Sequence, residues 1–446
     1  MKKAVLLISL SIGMACTAYG QNLLQIYQLA EKHDASFQAA RATYAAQKET
    51  VPIARGLLLP SLDLSANTTY NNVSTVNPRS FNSNGYSLTA TQVVFDWSAW
   101  KTFNQAQAQL KQAAITFAQA QQNLVINTAS AYFNVLEAAD QLRYAKKNMA
   151  WNKEQMAQAE QKFKVGLAAQ TDVLTAQASY EAAVASYVAA KNTLNDQYEA
   201  LDVITGVPIT HLTPLKNNFP LIQPSPLDPK AWVNTTMQMN LDIQAAKALA
   251  KFDQENIGVQ KAGYFPTVNL TGTYGVAKTH EPGSTHRTQS TTGAVNLTYN
   301  LFQGGATYYG VKQAKMTYHS DQFSVQQAER QANSDIQSAY LTVLSDISQV
   351  KALRQAVISG ESSVKAARAA YLVGTRTIVD LLQEQSSLFQ TQQSYATSIY
   401  NYINASLNMK KVAGLLTSKD IVAVNKWLNN TSTKKDKKPV LKKTQA

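Results

Sequence analysis

The sequence predicts an α+β membrane protein in which one plan, two strands followed by a very long helix and a shorter helix, occurs twice. Three observations lead to this fold class. Phe163-Lys-Val-Gly166 followed by Asp172 recurs as Tyr371-Leu-Val-Gly374 followed by Asp380, with every landmark displaced by 208 residues. Strand-like alternation precedes each motif, and residues 98–165 contain neither glycine nor proline. A repeat of this size is too large for a solenoid, so two copies should lie side by side.

The strands come first in each copy. Leu62 and Leu64 alternate with Asp63 and Ser65, which predicts a strand over residues 61–70, and the same pattern predicts one over 267–276. Polar, turn-rich loops follow at 71–85 and 278–292, and returning strands are predicted at 86–95 and 293–302. Aromatic residues near the strand ends are typical of the girdle that lines a membrane interface.

The helices follow. Long helices are predicted at about 98–165 and 306–373, each roughly 100 Å long at 1.5 Å per residue. Their small and apolar residues recur at alternating steps of four and three, which indicates a coiled coil with closely approaching backbones. A second apolar stripe beside the first implies packing partners on two sides. Glycine ends each long helix, and shorter helices are predicted at 167–205 and 375–413.

Composition sets the compartment and the segment boundaries. Residues 1–20 carry two lysines, an apolar stretch and a small-x-small site, which predicts a removable signal peptide. No other apolar run is long enough for a membrane-spanning helix. The first copy covers 21–206, a Pro-rich linker 207–230, the second copy 231–414 and a short segment 415–430. The tail 431–446 holds six lysines and one aspartate, so much of the +13 charge belongs to a disordered end and nucleic-acid binding is not expected.

Four strands cannot close a barrel, because about eight is the practical minimum. The protein should therefore oligomerise. Two chains would supply eight strands and three would supply twelve, and a tube wide enough for solutes favours the larger number. The residues by themselves leave both possibilities open.

The chain shows little catalytic chemistry. It has no phosphate-binding glycine loop, no His-Glu-x-x-His and no nucleophile elbow, and its single cysteine, Cys16, falls in the signal segment. His280 and His286 are conceivable metal ligands, but a solvated loop is the simpler interpretation. We expect neither enzymatic activity nor a cofactor or structural metal.

The duplicated plan resembles the outer-membrane efflux protein family. The likeness spans about 21–428 and is most specific in Tyr371-Leu-Val-Gly374-Thr-Arg376-Thr-Ile-Val-Asp380. It implies a homotrimer in the outer membrane of a Gram-negative bacterium, with a twelve-stranded barrel in the lipid and a helical tunnel in the periplasm. It also implies a periplasmic adaptor (membrane fusion protein) and an inner-membrane efflux or ABC transporter as partners. The exported cargo would be drugs, toxins or proteins.

The same resemblance implies a gate at the periplasmic end of the tunnel. The family pattern matches Arg376, Asp172, Thr171 and Tyr371, whose charged and hydroxyl groups can form the hydrogen bonds of a closed state. Untwisting of the inner helix pair would open it. The alternative is a solvated charge pair in which Asp172 is only a helix cap.

Two further roles follow from the family pattern. Three copies of Asp380 would form a carboxylate ring in the lumen, but Gln383 stands where relatives usually have a second Asp, and whether Glu384 compensates is open. The hairpin tips match the adaptor-binding grooves of relatives, and their residues are Val165, Gly166, Leu167, Val373, Gly374 and Thr375.

Two other function classes remain. An ungated outer-membrane diffusion porin would explain the strands but not the length of the helices. A structural coiled-coil protein of the envelope would explain the helices but not the paired strands.

Overall fold

A computed structural model of the chain describes residues 20–74, 79–216, 218–281 and 283–429. The predicted signal segment, apart from Gly20, and the basic tail 431–446 lie outside the described residues. The first half contains α1 (Leu23–His33), α2 (Ala35–Lys48), α3 (Thr50–Gly56), β1 (Ser61–Val73), β2 (Arg79–Phe95), α4 (Trp97–Lys164) and α5 (Gln170–Thr205). The second contains α6 (Pro229–Met239), α7 (Leu241–Lys261), β3 (Thr267–Glu281), β4 (Ser284–Thr298), α8 (Ala306–Leu372), α9 (Ile378–Val412) and α10 (Ser418–Asn425).

Each half begins with helices that the sequence analysis did not predict. Their starts carry recognisable caps. Asn22 Oδ1 accepts a hydrogen bond from Gln25 N at 3.0 Å, and Asn22 N in turn donates one to Gln25 Oε1 at 2.9 Å. In the second half α6 begins inside the predicted linker, because Asp228 caps Lys230 N at 3.0 Å and Pro229 suits the first helical turn.

The four strands form one antiparallel sheet in the order β1-β2-β3-β4. Most residues of the predicted loops 71–85 and 278–292 are in fact paired in strands. Backbone hydrogen bonding between the strands continues there although the side chains are polar. The predicted end of the last strand at 302 is also wrong. Thr298 pairs with Thr267, the first residue of β3 after Pro266, so residues 299–302 have no strand residue opposite them.

The sheet has one apolar and one polar face, as its register shows. Leu64, Leu88 and Tyr274 occupy one row of neighbouring positions, and directly paired residues share a face. The adjacent row contains Ser65 and Ser87, whose hydroxyl oxygens lie 2.8 Å apart on the opposite face. A sheet with this asymmetry separates an apolar environment from an aqueous one.

The helices build the remainder of the protomer. With 68 and 67 residues, α4 and α8 are each about 100 Å long. On the side far from the sheet, the helices form a row in the order α5, α4, α9, α8. Nearer the sheet, the row is α2, α4, α7, α8. The coiled-coil seam is buried as predicted, at Val135 and Ala145 in α4 and at Val343 and Val350 in α8 for example. Among the described residues, no helix is both long and apolar enough to span a membrane.

The largest core lies midway along the long helices. Tyr132, Phe133 and Tyr402 are fully buried there, and the Tyr132 hydroxyl donates to Thr213 O at 2.7 Å. The linker and the C-terminal segment pack together over this core through a bridge between Leu215 and Leu428. The two halves of the chain are therefore joined near their middle, and the hairpin tips extend away from this junction.

Candidate functional site

The two helical hairpins end in matching tips. Gly166 follows α4 with φ of +75°, and Leu167 N donates to Lys162 O at 2.8 Å. Gly374 follows α8 with φ of +80°, and Thr375 N donates to Ala370 O at 2.9 Å. These left-handed glycines satisfy the last carbonyls of each helix and reverse the chain.

The short helices begin three residues later than predicted, at Gln170 and Ile378. The reason is that Ala169 and Thr377 adopt extended backbone conformations after the glycine turns. The side chains at the tips are largely uncovered: Val165, Leu167 and Val373 are 68%, 77% and 75% exposed.

Two aspartates related by the repeat cap these short helices. Asp172 accepts a hydrogen bond from Ala169 N at 3.3 Å. Asp380 accepts from Thr377 N at 3.0 Å and from the Thr377 hydroxyl at 2.8 Å. The Thr377 hydrogen bonds lower the pKa of Asp380, and the positive charge of Arg376 adds to this effect. Asp380 is thus an ionised carboxylate at an exposed helix start.

Arg376 lies between the tip and α9, and its partner within the protomer is Glu384. The distance from Arg376 Nη1 to Glu384 Oε1 is 3.8 Å, and the two side chains are 50% and 37% exposed. In the part of the chain that the structure describes, no hydrogen bond or ion pair connects Arg376 with Thr171 or Asp172. Those two residues belong to the other hairpin, so one protomer does not assemble the predicted gate contacts.

Tyr371 differs from the other predicted gate residues because its ring is buried. Lys162 Nζ lies 3.8 Å from the ring centroid, a cation–π contact from α4 to α8. Nearby, Arg368 Nη2 of α8 lies 2.7 Å from Glu154 Oε1 of α4. The apolar cluster around the ring contains Ala159, Ala176, Ala367, Ile378, Leu381 and Leu382. These contacts hold the two hairpins of one protomer together.

One side of α9 remains uncovered near its start. Leu381 and Leu382 are buried against the protomer, whereas Asp380 and Gln383 are exposed. Residues three apart lie on neighbouring positions of a helix surface, so Asp380 and Gln383 share this uncovered side. Glu384 is partly covered and is occupied by Arg376.

Sequence reasoning missed a polar seam between α4 and α9. The Thr397 hydroxyl donates to Glu137 Oε1 at 2.7 Å, and the Tyr400 hydroxyl donates to Asp140 Oδ2 at 2.9 Å. Arg143 Nη2 lies 2.9 Å from Asp140 Oδ1. Burial raises the pKa of Asp140, while Arg143 and then Tyr400 oppose that shift. Glu137 and Asp140 lie beside apolar heptad positions in the sequence, and these carboxylates were the signal from which the seam could have been predicted.

The two loop histidines fall on opposite faces of the β3–β4 hairpin. His280 pairs in register with Thr285, and His286 pairs with Thr279. Neighbouring positions along a strand face opposite ways, so these imidazoles point apart. Across the described ranges, no group of three or more potential metal-binding side chains occurs.

Comparisons with known proteins agree with this architecture. A family model described as outer membrane efflux protein matches residues 26–207 and 232–415. The chain is 34% identical over 444 residues to Outer membrane protein TolC of Escherichia coli (strain K12), covering 96% of this chain and 90% of that protein.

A more distant relative is the alkaline protease secretion protein AprF of Pseudomonas aeruginosa. It is 24% identical over 419 residues, covering 91% of this chain and 87% of AprF. The crystal structure of the Campylobacter jejuni CmeC outer membrane channel superposes with a TM-score of 0.78 at 19% identity, covering 92% of this chain and 90% of that one. At this level of identity the structural likeness demonstrates a common fold.

Proposed function

The chain belongs to the outer membrane efflux protein family, and from this premise we propose how its residues serve export. It is a channel in the outer membrane of a Gram-negative bacterium, of the kind used by efflux pumps and type I secretion. The channel is trimeric and works with a periplasmic adaptor and an inner-membrane pump. The observation that carries this function is a sheet with one apolar and one polar face that continues directly into helices about 100 Å long.

Closure of the barrel follows from the sheet edges. Within the described protomer, β1 and β4 each have one neighbouring strand, and their outer edges are open. Three copies supply twelve strands and pair every edge, with the polar face lining the lumen and the apolar face in lipid. A diffusion porin would not need the long helices, and an envelope coiled coil would not need a two-faced sheet.

The gate contacts should form between protomers. Because α5 and α8 lie at opposite edges of the four-helix row, α8 of one copy meets α5 of the next when three copies close into a ring. Arg376, at the α8–α9 tip, would then face Thr171 and Asp172 of the neighbouring copy. Its long, exposed contact with Glu384 leaves most of its five donors available for them.

The lumen ring should hold three ionised carboxylates, one from each copy of Asp380. Asp380 is ionised and exposed, and Gln383 beside it adds no charge. Glu384 lies within the reach of Arg376, which offsets its charge. We therefore infer that Glu384 does not replace the missing second ring.

The tips are the proposed adaptor contacts. Val165, Leu167 and Val373 present apolar side chains to solvent at the end of the tunnel. Exposed apolar side chains around a groove between helices are suited to receiving the apolar face of a partner helix. Glycine at 166 and 374 sets the turn that presents them.

Disulfide crosslinking tests this arrangement. The only cysteine, Cys16, lies in the predicted signal segment, so introduced thiols have no competitor. Thr171→Cys with Arg376→Cys should give covalent trimers under oxidation and should stop export until a reductant is added. Glu154→Cys with Arg368→Cys is the matched control, because those residues already touch within one protomer and should crosslink without joining copies. Crosslinks of the first pair confined to monomers would refute the interprotomer gate.

A further inference from the structure

Two cations stand opposite each other on the apolar face of the sheet. Ala66, Tyr86 and Val276 share a row with Gln289, and this is the last mainly apolar row in the direction away from the helices. Lys278 and Arg287 are directly paired in the next row on that same face, and both are exposed. Directly opposite residues on antiparallel strands lie about 4.5–5.5 Å apart at Cα. The sheet thus carries a double positive charge just beyond its apolar band.

Side-chain contacts confirm which face these cations occupy. Gln289 Nε2 donates to the Tyr274 hydroxyl at 2.9 Å, so Gln289 lies on the apolar face. Arg287 precedes Gln289 by two residues on β4 and therefore faces the same way. His280, two residues beyond Lys278 on β3, also lies on this face, where its Nδ1 is 3.2 Å from the Thr285 hydroxyl.

The two faces differ in charge compensation. On the polar face, Arg79 Nη1 lies 3.3 Å from Glu281 Oε2. On the apolar face, neither Lys278 nor Arg287 has a carboxylate within 4.0 Å among the residues that the structure covers. The sequence offers few candidates, because residues 60–95 and 266–305 contain only two carboxylates, Asp63 and Glu281. Like charges directly opposite on a sheet are destabilising, so an anion should occupy this position.

We propose that Lys278 and Arg287 bind a phosphate group of lipopolysaccharide in the outer leaflet. The inference rests on the outer-membrane placement of the channel, in which the hairpin ends farthest from the helices reach the outer surface. Lipid A carries its phosphates at the boundary between acyl chains and water, and a pair just beyond the apolar band of the sheet should lie at that depth. The guanidinium can bind a phosphate through two parallel hydrogen bonds, and the ammonium adds a point charge. A trimer would offer three such sites.

The test compares lipid binding to purified trimers by native mass spectrometry. The double variant Lys278→Gln, Arg287→Gln should bind diphosphorylated lipid A roughly tenfold more weakly or worse than wild type. The matched control is Arg79→Gln with Glu281→Gln, which alters the compensated pair on the other face and should bind as wild type does. Binding to the wild type should also weaken as salt is raised.

Two further probes identify the ligand. Dephosphorylated lipid A should bind the wild type as weakly as diphosphorylated lipid A binds the double variant. Millimolar inorganic phosphate should not displace bound lipid A, and phosphatidylglycerol should compete poorly. The proposal would be overturned if lipid A bound the Lys278 and Arg287 double variant as tightly as it binds the Arg79 and Glu281 control. Full displacement of lipid A by inorganic phosphate or by phosphatidylglycerol would also overturn it. The conductance of the double variant separates this proposal from the channel function. If lipid binding fails as described while conductance stays at the wild-type value, the lipid site is refuted and the channel function is not.

Discussion

Replacing Arg376 with serine should open the periplasmic end of the tunnel, and the structure allows two sources of the effect to be separated. The first source is the contact with Glu384 in the same protomer, at 3.8 Å between side chains that are 50% and 37% exposed. Exposed ion pairs of this kind contribute about 0–1 kcal/mol. Losing that contact alone would change the ratio of open to closed channels by no more than about fivefold.

The second source is the set of proposed contacts with Thr171 and Asp172 of the neighbouring copy. A hydrogen bond to a charged group contributes about 1.5–3 kcal/mol, so each lost contact should shift the ratio roughly tenfold to a hundredfold. Arg376→Ser should therefore raise single-channel conductance and sensitise cells to large antibiotics. Adding Tyr371→Phe, which removes the hydroxyl but keeps the buried ring against Lys162, should increase both.

Single-channel recording in planar bilayers, with antibiotic susceptibility in cells, measures the effect. Glu384→Gln is the matched control, because it removes only the contact within the protomer and should leave conductance near the wild-type value. If Glu384→Gln reproduces the effect of Arg376→Ser, the gate works inside one protomer and the contacts between protomers are refuted. Unchanged conductance in Arg376→Ser with Tyr371→Phe would remove both residues from the gate.

Three more predictions concern the ring, the tip and the response to pH. Gln383→Asp should strengthen block of the channel by polyvalent cations from the periplasmic side, and Asp380→Asn should abolish most cation selectivity; unchanged block in Gln383→Asp would mean that residue 383 does not face the lumen. Gly374→Ala places a side chain on a residue with φ of +80° and should lower the free energy of unfolding by about 1–2 kcal/mol. Circular dichroism should show a lower melting temperature, and an unchanged melting temperature would contradict backbone strain at this residue. Burial, together with Asp321, raises the pKa of Asp253 from 3.8 to about 6, so the folded protein holds this proton more tightly than the unfolded chain. Stability should consequently fall as pH rises from about 4 to about 6 and then level off, and Asp253→Asn should remove that slope in melting curves recorded across this pH range.

The sequence by itself determined the repeating plan of this protein. Alternation of period two located all four strands, and a heptad spacing located the long helices and their buried seam, including Val343 and Val350. Glycine at 166 and 374 marked the ends of those helices. These features were predictable because each depends on residues close together in the chain, where side-chain direction follows directly from the period. Resemblance to the family then supplied the candidate gate and ring residues.

Only the tertiary structure decided which of these residues meet. Strand β2 pairs with β3 across the intervening residues 96–266, and this pairing joins the two halves of the sheet. The register between β3 and β4 sets Lys278 opposite Arg287 on the apolar face. Arg376 was expected to face Asp172, yet within one protomer its partner is Glu384. Tyr371, expected at the gate, has its ring packed against Lys162. The β2–β3 register and the contact of Lys162 with Tyr371 join segments far apart in the chain, and local periodicity carries no information about which distant partners meet. The nearer pairs depend on the register of the β3–β4 hairpin and on the residue at which α9 begins, which the period of the pattern does not determine.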